Sequence, residues 1–286
     1  MQPLTVHRSG NPDAPTVVLV HGLTDAGTNW PDLVAHWADA WDVVAPDLRG
    51  HGESPRFEPE QLDDAPDVLL ADLLALLDEV AAPDRPVVLV GHSLGGILSL
   101  RAALARPDLV RALVLEDPAK PDGTRLDSVF IEQNLAFVEA VTADPAGEIE
   151  KALRETPWTR PEIEAWAAVK PLVDRDYLRR GLYLGDPAWE ELFNALTVPT
   201  LLVLPEVAPM APRADELHNE LLRTVIIAGA GHCVRRDRPE DYLRAVDAFL
   251  VRARRAGRPR SPARRTPAPA RGAPGTRAAP RARRRG

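Results

Sequence analysis

A chain of 286 residues, 45% hydrophobic and 27% charged, is long enough to bury a sizeable core in one large domain, with or without an inserted cap. Its longest apolar runs, such as Val17–Val20 and Val87–Val90, are far too short to span a bilayer, and its one cysteine, Cys233, excludes an internal disulfide scaffold. The net charge of −7 divides unevenly: residues 252–286 hold 13 arginines and no acidic residue, which leaves 22 Lys+Arg against 42 Asp+Glu in residues 1–251, formal charges of +13 and −20.

The segment from Met1 to Gly10 is polar and lacks the apolar stretch of a secretory leader, so a cytoplasmic location is the expectation. Within it, Leu4–Arg8 reads as a short edge strand. Thr16–Val20 is a continuous β-branched run, the mark of a strand buried on both faces. A helix follows from Pro31 to Ala40, with proline in its first turn, then a strand at Trp41–Ala45 closed by Pro46-Asp47. Asp67–Val80 carries apolar residues at helical spacing; Pro86–Val90 is a strand, Leu94–Ala105 a helix and Val110–Leu115 a strand.

Residues 118–195 break this rhythm with helix-like segments separated by Pro and Gly, and they hold most of the large aromatics. The alternation resumes with a strand at Val198–Leu204, a helix at Asp215–Leu222, a strand at Thr224–Ala228 and a last helix from about Pro239 to Arg252. Such an order gives a mostly parallel sheet flanked by helices, here with one helical insertion. From residue 252 onward the chain is almost wholly Arg, Pro, Ala and Gly and is expected to be disordered. A basic arm binds nucleic acid or an anionic surface by counterion release. No aromatic is interleaved here to stack bases, which favours a solvated tail, one resting on the acidic body, or an extension without a role.

Three short stretches carry chemistry. Gly91-His92-Ser93-Leu94-Gly95 places G-x-S-x-G between a strand and a helix, where a sharp turn with small flanking residues lifts a serine hydroxyl above the sheet edge. At the helix N-terminus the Leu94 N–H is placed to donate to a developing oxyanion. The bland alternative is a glycine-rich turn with an incidental serine. Val20-His21-Gly22-Leu23 ends the first buried strand beside that turn, where the Leu23 N–H is the second donor and His21 holds the loop. Gly229-Ala230-Gly231-His232 follows the last strand. A serine needs an adjacent base, and His232 lies on a loop at the same sheet edge; otherwise it is a solvated side chain.

These motifs, together with Pro46-Asp47-Leu48-Arg49-Gly50-His51-Gly52-Glu53-Ser54, resemble the α/β-hydrolase family in its own order across residues 1–251. The resemblance implies an α/β-hydrolase fold with core residues 1–117 and 196–251, a helical lid at 118–195, Ser93 as nucleophile and His232 as its base. The Asp47–Ser54 loop resembles a structural element and receives no catalytic role. The orienting acid departs from the commonest family pattern, because Ala208 in Pro205-Glu206-Val207-Ala208-Pro209 stands where the family's aspartate is expected after its seventh strand. Some members place the acid one strand earlier, after the sixth, where this chain has Glu116-Asp117-Pro118. Asp117 is favoured, with Glu206 and Glu116 as alternatives. In this respect the chain is similar to hydrolases of the N-formylmaleamate deformylase type.

The reading at this point is a serine hydrolase acting on a small ester or amide. Carbon–carbon bond hydrolysis or cofactor-free haloperoxidase chemistry on the same triad is the nearest alternative, and a non-catalytic small-molecule binding protein of this fold is the other. Dehalogenase and covalent epoxide-hydrolase chemistry are disfavoured, since relatives of those types use a carboxylate where this chain has Ser93. Trp158, Trp166, Tyr177 and Trp189 either line an acyl pocket or form the core of a helical layer. Cys233 reads as packed rather than reactive. No residue cluster has metal-ligand spacing and no glycine-rich loop reads as a phosphate cradle, so neither metal nor cofactor is expected.

Overall fold

The computed structural model describes residues 2–121, 123, 128–180, 183–185 and 188–256. The sheet has seven strands: β1 (Val6–Gly10), β2 (Thr16–Val20), β3 (Asp42–Pro46), β4 (Val87–His92), β5 (Val110–Glu116), β6 (Thr200–Pro205) and β7 (Leu222–Ile227). Their order is β1-β3-β2-β4-β5-β6-β7, with β1 antiparallel to β3 and every other pair parallel. The β-branched runs read from the sequence supply the centre, and the period of two sorts each strand between two cores. Val18 and Val20 face one core; Val17 and Leu19 face the other.

Helices α1 (Pro31–Trp37), α2 (Ala65–Val80) and α3 (Leu94–Ala105) follow β2, β3 and β4. The connection from β2 runs to β3 on one side, while β4 and β5 lie on the other, so the chain reverses direction between β2 and β4. In open α/β sheets ligands bind outside the strand C-termini at such a reversal. The loops that carry His21-Gly22-Leu23 and Ser93 leave the sheet there.

Between β5 and β6 the chain forms α4 (Ser128–Ala143), α5 (Pro145–Glu155), α6 (Arg160–Ala168), a 3₁₀ turn at Lys170–Leu172, α7 (Arg175–Arg179) and α8 (Trp189–Asn194). Val138, Val173 and Leu178 make a small core of their own. Tyr177, Trp189 and Phe193 instead join the main core, with Tyr177 stacked on Phe57 at 4.8 Å between ring centroids. After β7 come α9 (Val234–Asp237), a short helix that the sequence pattern did not reveal, and α10 (Pro239–Ala256).

Several expectations shift. The edge strand lies at Val6–Gly10 rather than Leu4–Arg8, because its antiparallel register runs from Val6 opposite Pro46 to Gly10 opposite Asp42. The helix expected at Asp215–Leu222 is not formed: only a 3₁₀ turn at Ala214–Glu216 is present, and Leu222 already begins β7. Side chains compete with the helix ladder here. Asn219 Nδ2 donates to the Phe193 and Leu196 carbonyls while its Oδ1 accepts from the Leu221 N–H. The last helix runs past residue 252 to Ala256, since Ala253 still packs in the core with Phe249 and Leu250. The expectation of disorder for the arginine-rich tail therefore does not hold for its first five residues, and the rest of that tail lies outside the described residues. Among the described residues no helix is long and apolar enough to cross a membrane.

Candidate active site

Strand β4 is buried along its whole length and passes through Ser93 directly into α3. Ser93 has φ 52° and ψ −115°, a conformation that costs a non-glycine residue about 1–3 kcal/mol and persists only where the surroundings impose it. The imposition is visible. The Ser93 N–H donates to the Glu116 carbonyl at 3.0 Å, and the Ser93 carbonyl accepts from the Gly96 and Ala119 N–H groups at 2.9 Å each. A Cβ at Gly95 would run into the Val20 carbonyl oxygen, so only glycine lets α3 sit this close to β2.

The loop after β2 packs on the serine. A Cβ at Gly22 would lie 2.8 Å from His92 Nδ1 and 3.2 Å from Ser93 Cβ. Gly22 to Asp25 form a turn closed by the Asp25 N–H on the Gly22 carbonyl at 3.2 Å, with Thr24 at φ 64°. His21 is buried; its Nδ1–H donates to the Gly22 carbonyl at 2.8 Å and its Nε2 accepts from the Leu48 N–H at 2.9 Å. Burial lowers its pKa, in keeping with a neutral ring that braces the loop.

His232 follows Gly229, which has φ 72°, and Gly231, whose N–H donates to Asp237 at 2.7 Å. Its Nδ1 lies 2.6 Å from Asp117 Oδ2, with the histidine side chain 45% exposed and the aspartate 3%. In the neutral tautomer that donates to Asp117, Nε2 carries the lone pair. Among the described residues Asp117 Oδ1 is buried without a partner, and the Asp117 N–H is fixed on the Val203 carbonyl at 2.9 Å. The other two carboxylates weighed from the sequence are engaged elsewhere. Glu206 accepts from the Gly229 N–H at 2.8 Å, and Glu116 accepts from the Arg235 N–H at 2.8 Å. Burial pushes Glu116 up to about 7.

Ser93, His232, Asp117, Leu23 and Leu94 all line one cavity of about 510 Å³. Among the described residues its remaining wall is apolar, from Ala119, Phe130, Leu184, Val207, Pro209 and Met210, with Lys120 the one further charged residue. None of Trp158, Trp166, Tyr177 and Trp189 reaches it; they pack between helices or in the main core. Phe130 is the aromatic that does line it, and its place at the exposed start of α4 gave no sequence signal. Burial pushes the Cys233 thiol up to about 11, which leaves it protonated near neutral pH. Among the described residues no group of three His, Cys, Asp or Glu side chains is placed to hold a metal ion.

An ion network with no sequence signature ties α6 and α9 to the turn after β2. Glu162 of α6 accepts from Arg235 at 2.9 Å and from Arg236 at 2.8 Å, and Arg236 also donates to Asp25 at 3.1 Å. Lys170 completes it from the 3₁₀ turn, 2.9 Å from the other Asp25 oxygen. The Arg235 guanidinium lies over Trp30 and that of Arg236 over Trp158, at 4.2 and 5.0 Å from the ring centroids.

Residues 17–245 match the alpha/beta hydrolase family. The chain is 40% identical over 274 residues to the lipase LipV of Mycobacterium tuberculosis, covering 86% of this chain and 97% of that one. It is 30% identical over 264 residues to the 2-(acetamidomethylene)succinate hydrolase of Mesorhizobium japonicum, covering 86% and 91%. The crystal structure of the N-formylmaleamic acid deformylase of Pseudomonas putida superposes with a TM-score of 0.66 at 22% identity, over 85% of this chain and 94% of that one, a likeness of fold. With the sheet, the turn at Ser93 and the family match in agreement, the chain is a hydrolase and belongs to the α/β-hydrolase family.

Proposed function

We propose that this chain is a serine hydrolase that cleaves small, largely apolar esters or amides through an acyl-enzyme. The observation that carries the reading is the meeting, in one cavity, of Ser93 on its strained turn and a histidine whose Nδ1 lies 2.6 Å from a buried aspartate. Ser93 Oγ attacks the substrate carbonyl carbon while His232 Nε2 takes its proton. The Leu23 and Leu94 N–H groups receive the oxyanion, the first from the turn after β2 and the second as the opening residue of α3, where an N–H has no intrahelical partner. Collapse of the tetrahedral intermediate expels the alcohol or amine, protonated by His232. His232 then deprotonates water, which attacks the acyl-enzyme and restores Ser93. Asp117 fixes the tautomer and stabilises the imidazolium.

The apolar wall of the cavity supports a substrate with an apolar acyl part. Both bond types deserve a place in the assay, since one relative is named a lipase and another hydrolyses an acetamido compound by its name. The test is labelling by a fluorophosphonate, together with turnover of p-nitrophenyl esters and acyl anilides. Ser93→Ala is expected to abolish both, Asp117→Asn to lower kcat about 10⁴-fold, and Glu206→Gln to stay within about twofold, since its carboxylate only caps Gly229. A wild-type protein that is never labelled, or full activity in Asp117→Asn, overturns the reading.

A further inference from the structure

A single lysine of the helical insertion reaches the turn that carries Leu23. Lys170 is fully buried, and its Nζ donates to the Thr24 carbonyl at 2.7 Å and to Asp25 Oδ1 at 2.9 Å. The ammonium sits 5.6 and 5.3 Å from the centroids of the Phe137 and Trp166 rings. A buried ammonium costs several kcal/mol unless it is paired and hydrogen-bonded. Apolar contacts alone would suffice to close a pocket, yet this element delivers a cation to a backbone carbonyl.

What that carbonyl belongs to gives the cation its use. The peptide plane of Gly22 and Leu23 fixes the Leu23 N–H opposite the Gly22 carbonyl, and that carbonyl is bound by His21 Nδ1–H and the Asp25 N–H. His21 thus braces one end of the turn from the core. Lys170 braces the other end, at Thr24, whose φ of 64° is uncommon for a residue with a Cβ and needs support from its surroundings. The second oxygen of Asp25 accepts from Arg236, four residues after His232. One chain of ion pairs therefore joins the insertion, the Gly22–Asp25 turn and the loop of His232.

We propose that Lys170 is a positioning residue for the oxyanion site: through Thr24 and Asp25 it holds the Leu23 N–H in its working direction, so that turnover requires the insertion to be seated on the core. This rests on the reading of Leu23 as an oxyanion donor. The experiment compares Lys170→Met with the wild type and with Lys151→Met, which removes an exposed lysine of α5 paired with Glu148. Lys170→Met is expected to lower kcat for p-nitrophenyl butyrate about 10- to 100-fold with KM within twofold, less than outright loss of an oxyanion donor. Affinity for butylboronic acid, which forms a tetrahedral anion on the serine, is expected to fall by a similar factor. Lys151→Met is expected to change neither.

A readout independent of catalysis is the exchange rate and NMR shift of the Leu23 and Thr24 amides, both expected to change in Lys170→Met. If Lys170→Met does not fold, the Lys170→Met/Asp25→Asn pair, which removes both buried charges, takes its place with the same expected changes. Unchanged kcat, a loss confined to KM, or unmoved Leu23 and Thr24 amides overturns the proposal. A wild type inert to the fluorophosphonate overturns the serine mechanism instead, and the amide measurement then decides the clamp alone.

Discussion

Around Ser93 the chain is fixed by backbone against backbone. The serine's own N–H and carbonyl are both bonded to main-chain groups, and glycine lets a helix approach the neighbouring strand without a side chain between them. Around His232 and the Gly22–Asp25 turn charge is added to the backbone bonds, through carboxylates and cations drawn from α6, the 3₁₀ turn at Lys170 and α9. The first arrangement depends on small residues within a few positions of the serine. The second depends on side chains that meet only when the fold is complete. Both deliver a fixed geometry, but they should fail differently.

Gly95→Ala attacks the first arrangement and should have the largest effect. Its methyl collides with the Val20 carbonyl, which has no side-chain freedom to yield, so a loss of about 3 kcal/mol or more and at least a 100-fold fall in turnover are expected, by urea unfolding and ester hydrolysis. Glu162→Gln attacks the second. It removes the charge that Arg235 and Arg236 share while keeping the shape, and a loss of about 3 kcal/mol is expected for a buried pair broken on one side. Turnover should fall less than in Gly95→Ala, because Asp25 still holds Arg236.

The smallest effect is a dependence on pH. Glu116 is pushed up to about 7 by burial, so the folded state holds a proton there that the unfolded chain releases at ordinary carboxylate values. The stability from this group is complete below the ordinary value near 4.5 and is lost as pH rises through about 7. Glu116→Gln keeps an acceptor for the Arg235 N–H and cannot ionise. Its Tm should match the wild type at pH 4 and exceed it by a few degrees at pH 8; a gain confined to acid pH would contradict the assignment.

The same contrast explains what the sequence disclosed. The central strands were legible because their β-branched runs are continuous, and the turns that carry Ser93 and His232 because glycine-flanked turns are local patterns. Asp117 was harder to read, since an aspartate at a strand end has ordinary uses; the position of His232 Nδ1 is what singles it out geometrically from Glu116 and Glu206. The helix expected at Asp215–Leu222 misled because Asn219 finds carbonyl partners across the fold. The ion network was invisible: its bonds join residues 119 positions apart between Glu116 and Arg235, and 211 apart between Asp25 and Arg236. No spacing rule within a helix or strand links them.

The reach of Lys170 and Glu162 into the core bears on how this molecule can be re-engineered. Grafting the segment between β5 and β6 from another scaffold would remove one cation and one anion at once, and leave Asp25, Arg235 and Arg236 short of partners in a dry interior. A chimera that exchanges this segment alone starts with buried charges that have lost hydrogen-bonding partners, however well its apolar surface fits. Transplanting it with its three counterparts keeps each of those charges paired.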